Sequence, residues 1–212
     1  MKNMAIHLVR HGKPTVSLQE KVNGNRFLDF LKRYDAAGIT SESIPPENLI
    51  AVVQNANIVF TSNLNRTIHS AKILQPQVQP ISNSVFREIN CWRNFSTNIK
   101  LSALNWAIIS RLLWELKISP IFESPVDTRQ RAKQAAELLI QEYHHHGSVV
   151  LIAHGGINTF IAKQLRLLGW QGSRNLNNYQ LPITFSQQQQ FLFLFLLLLL
   201  AVFLVTIRDS HL

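Results

Sequence analysis

The chain has a single cysteine, Cys91, so no intramolecular disulfide can form and the fold does not depend on an oxidising compartment. A cytoplasmic, reducing setting is expected. The first residues, Met1-Lys2-Asn3-Met4, run into an apolar stretch without the basic region, apolar segment and cleavage site of a secretion signal. Acidic residues are scarce, 12 against 21 Lys and Arg, which leaves a formal charge of +9. That excess suits an anionic partner: a phosphorylated small molecule, nucleic acid or an anionic membrane surface. The basic residues are scattered, however, with no run of Lys or Arg and no aromatic-rich ribonucleoprotein-type motif, so no nucleic-acid partner is expected.

What is present is enough for a real core: 212 residues, 46% of them hydrophobic. One sizeable domain over 1–186 is expected, followed by a tail over 187–212 of different composition. Alternating strand and helix signals predict an α/β fold of three layers, a mostly parallel sheet with helices on both faces. Met4 to Val9 reads as a buried strand, Ile58 to Phe60 as a second, Val78 to Ile81 as a weak third and Ser148 to Ala153 as the strongest. Tyr179 to Phe185 reads as a last strand or extended segment. Helices are expected over 26–34, 47–55, 66–74, 101–116 and 157–168. In the fourth, Leu101, Leu104, Ile108, Leu112 and Leu116 keep the helical period and form the predicted core face, with Trp106 and Trp114 adding bulk. Asp127 is the expected cap of a further helix ending near Tyr143, and Gly169-Trp170-Gln171-Gly172 reads as a break.

The apolar run Ile6 to Val9 ends abruptly in Arg10-His11-Gly12, so the last side chains lie at the carboxyl edge of the sheet, where ligands of open α/β folds bind. A neutral imidazole there can act as a nucleophile, with the permanently charged Arg10 holding an oxyanion. Two more strand ends supply related groups. Thr61-Ser62-Asn63-Leu64-Asn65 is a cluster of capping residues that precedes Arg66 in a first helical turn, where helix-end N–H groups already favour an anion. Ala153-His154-Gly155 places a second histidine at a strand-to-helix turn, and Phe86-Arg87-Glu88 falls in a loop. His144-His145-His146 suit the negative end of a helix dipole. Neighbouring helical residues do not face one another, so no metal is expected on them.

Taken together, Leu8 to Gly12, Thr61 to Thr67, Phe86 to Glu88 and Leu151 to Gly155 resemble the histidine phosphatase superfamily, the phosphoglycerate-mutase-like proteins, from residue 4 to about residue 185. The resemblance implies that His11 accepts the phosphoryl group, that Arg10, Arg66 and His154 form the phosphate pocket, and that Glu88 donates the proton. It implies no metal and no other cofactor. Many relatives carry an asparagine six residues after the nucleophile. Here Ser17 stands in that place and can still donate a hydrogen bond. Asp127, Glu123 and Glu20 are the other candidate acids, and Cys91 is expected to be structural or incidental. The implied activity is hydrolysis of a phosphorylated small molecule or phosphoprotein. Two alternatives stand beside it: mutase-type transfer, for which no insertion that would cover the site is evident, and a catalytically silent phospho-ligand binder tethered at a membrane.

In the tail, four glutamines precede Phe191 to Ile207, which is apolar except for Thr206. As a helix this segment would be about 26 Å long, within the range that spans a bilayer, so a C-terminal membrane anchor is expected, with a buried core helix or a frame-shifted or truncated end as alternatives. Lys163, Arg166 and Arg174 ahead of it would keep the catalytic domain on the cytoplasmic side.

Overall fold

The structure, a computed structural model, describes residues 4–118, 122–172 and 183–187. In chain order its strands are β1 (Ala5–Arg10), β2 (Lys21–Asn23), β3 (Ile58–Thr61), β4 (Ile81–Ser82), β5 (Lys100–Ser102), β6 (Ser148–Ala153), β7 (Trp170–Gly172) and β8 (Ile183–Gln187). The helices are α1 (Phe27–Ala36), α2 (Glu47–Gln54), α3 (Asn65–Leu74), α4 (Ala103–Glu115), α5 (Pro125–His146) and α6 (Gly155–Leu167). Six strands form one sheet in the order β4-β3-β6-β1-β8-β7. It is parallel from β4 to β1, and β8 and β7 add antiparallel at the other edge.

A parallel sheet covered on both faces needs apolar side chains on both, which is why β6 reads as an unbroken apolar run after Ser148. Val149, Leu151 and Ala153 join Ile6 and Leu8 of β1 in a core against α5 and α6. Val150 and Ile152 join Val9 and Val59 in a second core against α2 and α3. The three-layer α/β expectation therefore describes the molecule. A third, separate apolar cluster joins β2 and α1 to α4 through Phe27, Phe30 and Trp106, whose Nε1–H donates to the Val22 carbonyl at 2.9 Å.

Several expectations need correction. In α4 the helical period holds but its phase does not: Ala103, Trp106, Ser110 and Trp114 are buried, while Ile108, Leu112 and Leu116 are 49%, 58% and 68% exposed. The two tryptophans decide it, because burying their larger surfaces outweighs burying three aliphatic side chains. Helix α5 is capped by Ser124, with Asp127 three positions on completing a capping box. The third strand shrinks to Ile81–Ser82, and Trp170–Gly172 is a strand. The β2–β5 pair is new. The last strand, expected to end at Phe185, runs to Gln187, and residues 179–182 lie outside the described part. So does Phe191 to Ile207. Among the described residues no helix is long and apolar enough to cross a membrane.

Candidate active site

Strand register assembles the site. Ile152 of β6 pairs with Val9 of β1 on one side and Thr61 of β3 on the other. The residues that follow each strand therefore emerge side by side at one carboxyl edge: Arg10 and His11, then His154, then Ser62. The His11 N–H continues the ladder onto the Ala153 carbonyl at 3.0 Å. Asn158 of α6 donates its side-chain N–H to the Val9 carbonyl at 3.0 Å, fixing the end of β1. The His11 and His154 rings meet edge to face with centroids 5.1 Å apart.

Both histidines are buried. His11 Nδ1 lies 2.7 Å from the Gly12 carbonyl oxygen, which can only accept, so Nδ1 carries the proton and Nε2 keeps its lone pair. Burial pulls the imidazole down to about 3, against the Gly12 hydrogen bond and with help from the Arg66 and Arg10 charges. It is a neutral base at physiological pH, the form that a nucleophile needs. Burial, with Arg66, His11, Arg10 and Arg87 nearby, also holds His154 well below the usual histidine range. Its Nε2 is 2.8 Å from the Ser62 hydroxyl, while its Nδ1 is buried without a hydrogen-bond partner.

Arg66, 2% exposed, is held from one side: Nη1 donates to the Tyr34 carbonyl at 3.1 Å and to Asp35 Oδ1 at 3.2 Å, and the guanidinium lies 4.8 Å from the Tyr34 ring. Its Nε has no partner. Asp35 also bridges to Arg87 at 3.2 Å, so one carboxylate ties two arginines at the mouth of the site. Glu88 accepts N–H bonds from Ile89 at 2.9 Å, Ile157 at 3.0 Å and Gly156 at 3.2 Å, the last two from the first turn of α6. The carboxyl packs so closely on Gly156 that a Cβ there would collide with Oε1.

The loop carrying Glu88 is itself held. Arg131 of α5 pairs with Glu123 through two 2.9 Å bonds and donates to the Val85 and Arg87 carbonyls, while Glu123 accepts from Asn90 N–H. Burial would raise the Glu123 carboxyl, but Arg131 and the Asn90 N–H bring it below its usual value. Glu123 is thus a clamp on the loop.

A cavity of about 120 Å³ is lined by Arg10, His11, Arg66, Arg87 and Glu88 together with apolar groups of the third cluster's elements, among them Leu31 and Ala107. The segments around α1 and α4 therefore supply the cover that was not evident in the sequence. A wider cavity of about 350 Å³ lies on the other side of Arg10 and His11, between the Gly12 to Pro14 segment and α2 and α3. Ser17 is exposed, its hydroxyl accepting from Gln19 N–H, and neither it nor the fully buried His154 is part of the lining of the smaller cavity. Glu20 pairs with Arg33, and Asp127 serves its capping box. Cys91 is buried in the main core, which pushes its thiol up to about 11. Among the described residues no group of three or more His, Cys, Asp or Glu is placed to hold a metal. The sequence does not single out Asp35, which pairs with Arg66, or the contact of Ser62 with His154. The expected side-chain cap of α3 is absent: its N-cap is Leu64, whose N–H donates to the Ser62 hydroxyl.

The family model of the histidine phosphatase superfamily (branch 1) matches residues 6–185, and the chain belongs to that superfamily. Among solved structures it is similar to a phosphoserine phosphatase mutant from Entamoeba histolytica in complex with phosphoserine, at 16% identity and a TM-score of 0.52, over 87% of this chain and 98% of that one. It is also similar to YhfR from Bacillus stearothermophilus, at 16% identity and a TM-score of 0.53, over 76% and 79% of the two chains. No curated protein sequence matches it. These likenesses establish a shared fold.

Proposed function

We propose that the protein is a phosphomonoester hydrolase that works through a phosphohistidine on His11. The observation that carries this reading is the pairing of a bare nucleophilic nitrogen with two buried unpartnered nitrogens, Arg66 Nε and His154 Nδ1. Each buried polar atom without a partner costs about 1 to 3 kcal/mol, and for the Arg66 Nε–H a bound phosphoryl oxygen would remove that cost. In the first step His11 Nε2 attacks phosphorus in line and the P–O ester bond breaks, while Glu88 gives a proton to the departing oxygen. Arg10, Arg66 and His154 hold the oxygens on which charge accumulates. In the second step water attacks the phosphohistidine, Glu88 takes its proton, and inorganic phosphate leaves. Ser17 can join only by turning its hydroxyl from Gln19 toward the site.

The arginines supply the charge that a metal would, so activity is expected to survive chelation and dialysis. A panel of phosphorylated small molecules and phosphopeptides tests the reading: release of inorganic phosphate with transient acid-labile label on His11 is expected, and binding without turnover would leave a silent phospho-ligand protein. Mutase-type transfer is favoured by the cover that α1 and α4 form, since a shielded phosphohistidine can wait for a second hydroxyl. Incubation with a phosphorylated hydroxy acid separates isomerisation from hydrolysis. Membrane anchoring is supported by the composition of Phe191 to Ile207. Partition of the full chain and of a chain ending just past Gln187 between detergent and water tests it.

A further inference from the structure

Ser62, Thr67 and His154 have no exposed surface, and apart from His154 Nδ1 their side-chain polar atoms contact one another or nearby backbone. Ser62 Oγ accepts from Leu64 N–H at 3.2 Å and lies 3.0 Å from Thr67 Oγ1 and 2.8 Å from His154 Nε2. A hydroxyl has one proton and two lone pairs, so the pattern has two solutions. In one, Ser62 donates to Thr67, and His154 must donate from Nε2, leaving Nδ1 bare. In the other, Thr67 shares its proton among Ser62 Oγ, the Leu64 carbonyl 2.8 Å away and the Ser62 carbonyl 3.0 Å away, and Ser62 donates to Nε2, which places the histidine proton on Nδ1. The second solution fits an anion site. A phosphoryl oxygen offers lone pairs only, so a bare Nδ1 beside it would oppose lone pair to lone pair.

Resting on the phosphatase reading above, we propose that Ser62 is a positioning residue: its hydroxyl donates to His154 Nε2 and fixes the tautomer whose Nδ1–H donates to a phosphoryl oxygen. His154 then binds the transferring group as a neutral donor, and its orphaned Nδ1 is the donor that awaits an acceptor. The depressed basicity of the buried ring agrees with this, since it cannot bind phosphate simply by charging at neutral pH. The same role explains why Ser62, two residues ahead of the N-cap position, does not cap α3.

Ring-nitrogen NMR of the histidine-labelled full chain, combined with rapid-quench measurement of His11 phosphorylation, tests the assignment. The proton of His154 is expected on Nδ1 in the unaltered protein. In Ser62→Ala it should redistribute toward Nε2, and phosphorylation should slow on the order of 100-fold, the size of a lost transition-state donor. A proton found on Nε2 in the unaltered protein overturns the proposal, whether or not the alanine variant folds. An alanine variant that folds and phosphorylates at the unaltered rate overturns it as well. Failure of the phosphatase reading is a separate result: the unaltered protein would form no phosphohistidine, while the tautomer of His154 is read in the resting chain.

Discussion

At the residue scale, His11 and Glu88 are separable by what each gives to the reaction. His11→Ala removes the atom that bonds to phosphorus, so activity should fall to background for every substrate and no labelled intermediate should form. Glu88→Gln removes only proton donation, a contribution of about 100- to 10,000-fold where the leaving group is poor. The variant should lose far more rate on an alkyl phosphate than on a nitrophenyl ester, and equal losses on both would remove Glu88 from the donor role. Gly156→Ala tests the same carboxyl by sterics, because the new methyl occupies the place of Oε1 and must displace it. It should reproduce the alkyl-selective loss of Glu88→Gln while the chain stays folded; an unselective loss would mean that the carboxyl was not the group disturbed. The proximity of Arg10, His11 and His154 was legible in the sequence because each ends or directly follows a strand, where register alone dictates it, and Arg66 joins them from the first turn of the helix that follows β3. The place of Ser17 was not, since in an exposed turn its hydroxyl accepts from the backbone two residues on. Ser62 was hidden beside Thr61, Asn63 and Asn65, whose side chains can all cap helices.

At the scale of elements, the sequence carries period more reliably than phase. The spacing of Leu104, Ile108, Leu112 and Leu116 and that of Ala103, Trp106, Ser110 and Trp114 are both helical, and only packing chooses between them. The choice can be measured. Trp114→Ala should cost about 3 to 5 kcal/mol by urea unfolding, because a fully buried indole that also donates to the Glu123 carbonyl is lost. Ile108→Gln on the exposed face should change stability by no more than about 0.5 kcal/mol. The reverse ranking would put the helix back in the phase the aliphatic spacing suggests. The three-residue strands β2 and β5 gave no periodic signal at all, being shorter than the window in which alternation can be recognised. The clamp between α5 and the Glu88 loop was equally invisible, because Glu123 and Arg131 meet only after the loop folds back across the helix start. Arg131→Ala leaves Glu123 half-buried and unpaired and frees the Val85 and Arg87 carbonyls. It should therefore destabilise the protein by about 3 kcal/mol and lower turnover of alkyl esters more than substrate affinity. Turnover that is unaffected would mean that the loop holds its shape without the clamp.

For the molecule as a whole, the division into two apolar layers around a parallel sheet was legible because β1 and β6 are apolar on both faces, a pattern that only a doubly covered sheet requires. The cost of that arrangement is that groups needed near the sheet's edge are buried with it, and among the described residues three histidines lie inside. Burial brings His7 down to about 4; it sits in the middle of β1 with Nδ1 2.9 Å from the Thr184 hydroxyl of β8. His11 is lower still, at about 3, and His154 is also well depressed. In the unfolded chain each returns to about 6.5. The folded state resists the proton, so between pH 6.5 and each depressed value the unfolded chain binds more protons and is favoured as acid is added. The stability from keeping these rings neutral is therefore complete above about pH 6.5 and lost as pH falls toward 4 and 3. For His7 alone the full effect is about 3 kcal/mol. Urea midpoints should drop steadily from pH 7 to pH 4.5, and His7→Gln, which cannot take up a proton, should drop less steeply over the same range. Charging His7 also places a cation beside β8, so amide exchange in Phe185 should rise before that of β6 as the pH falls. Midpoints that stay level across this range, or a His7→Gln slope equal to that of the unaltered chain, would mean that the ring at the centre of β1 finds enough solvent to charge without unfolding the sheet.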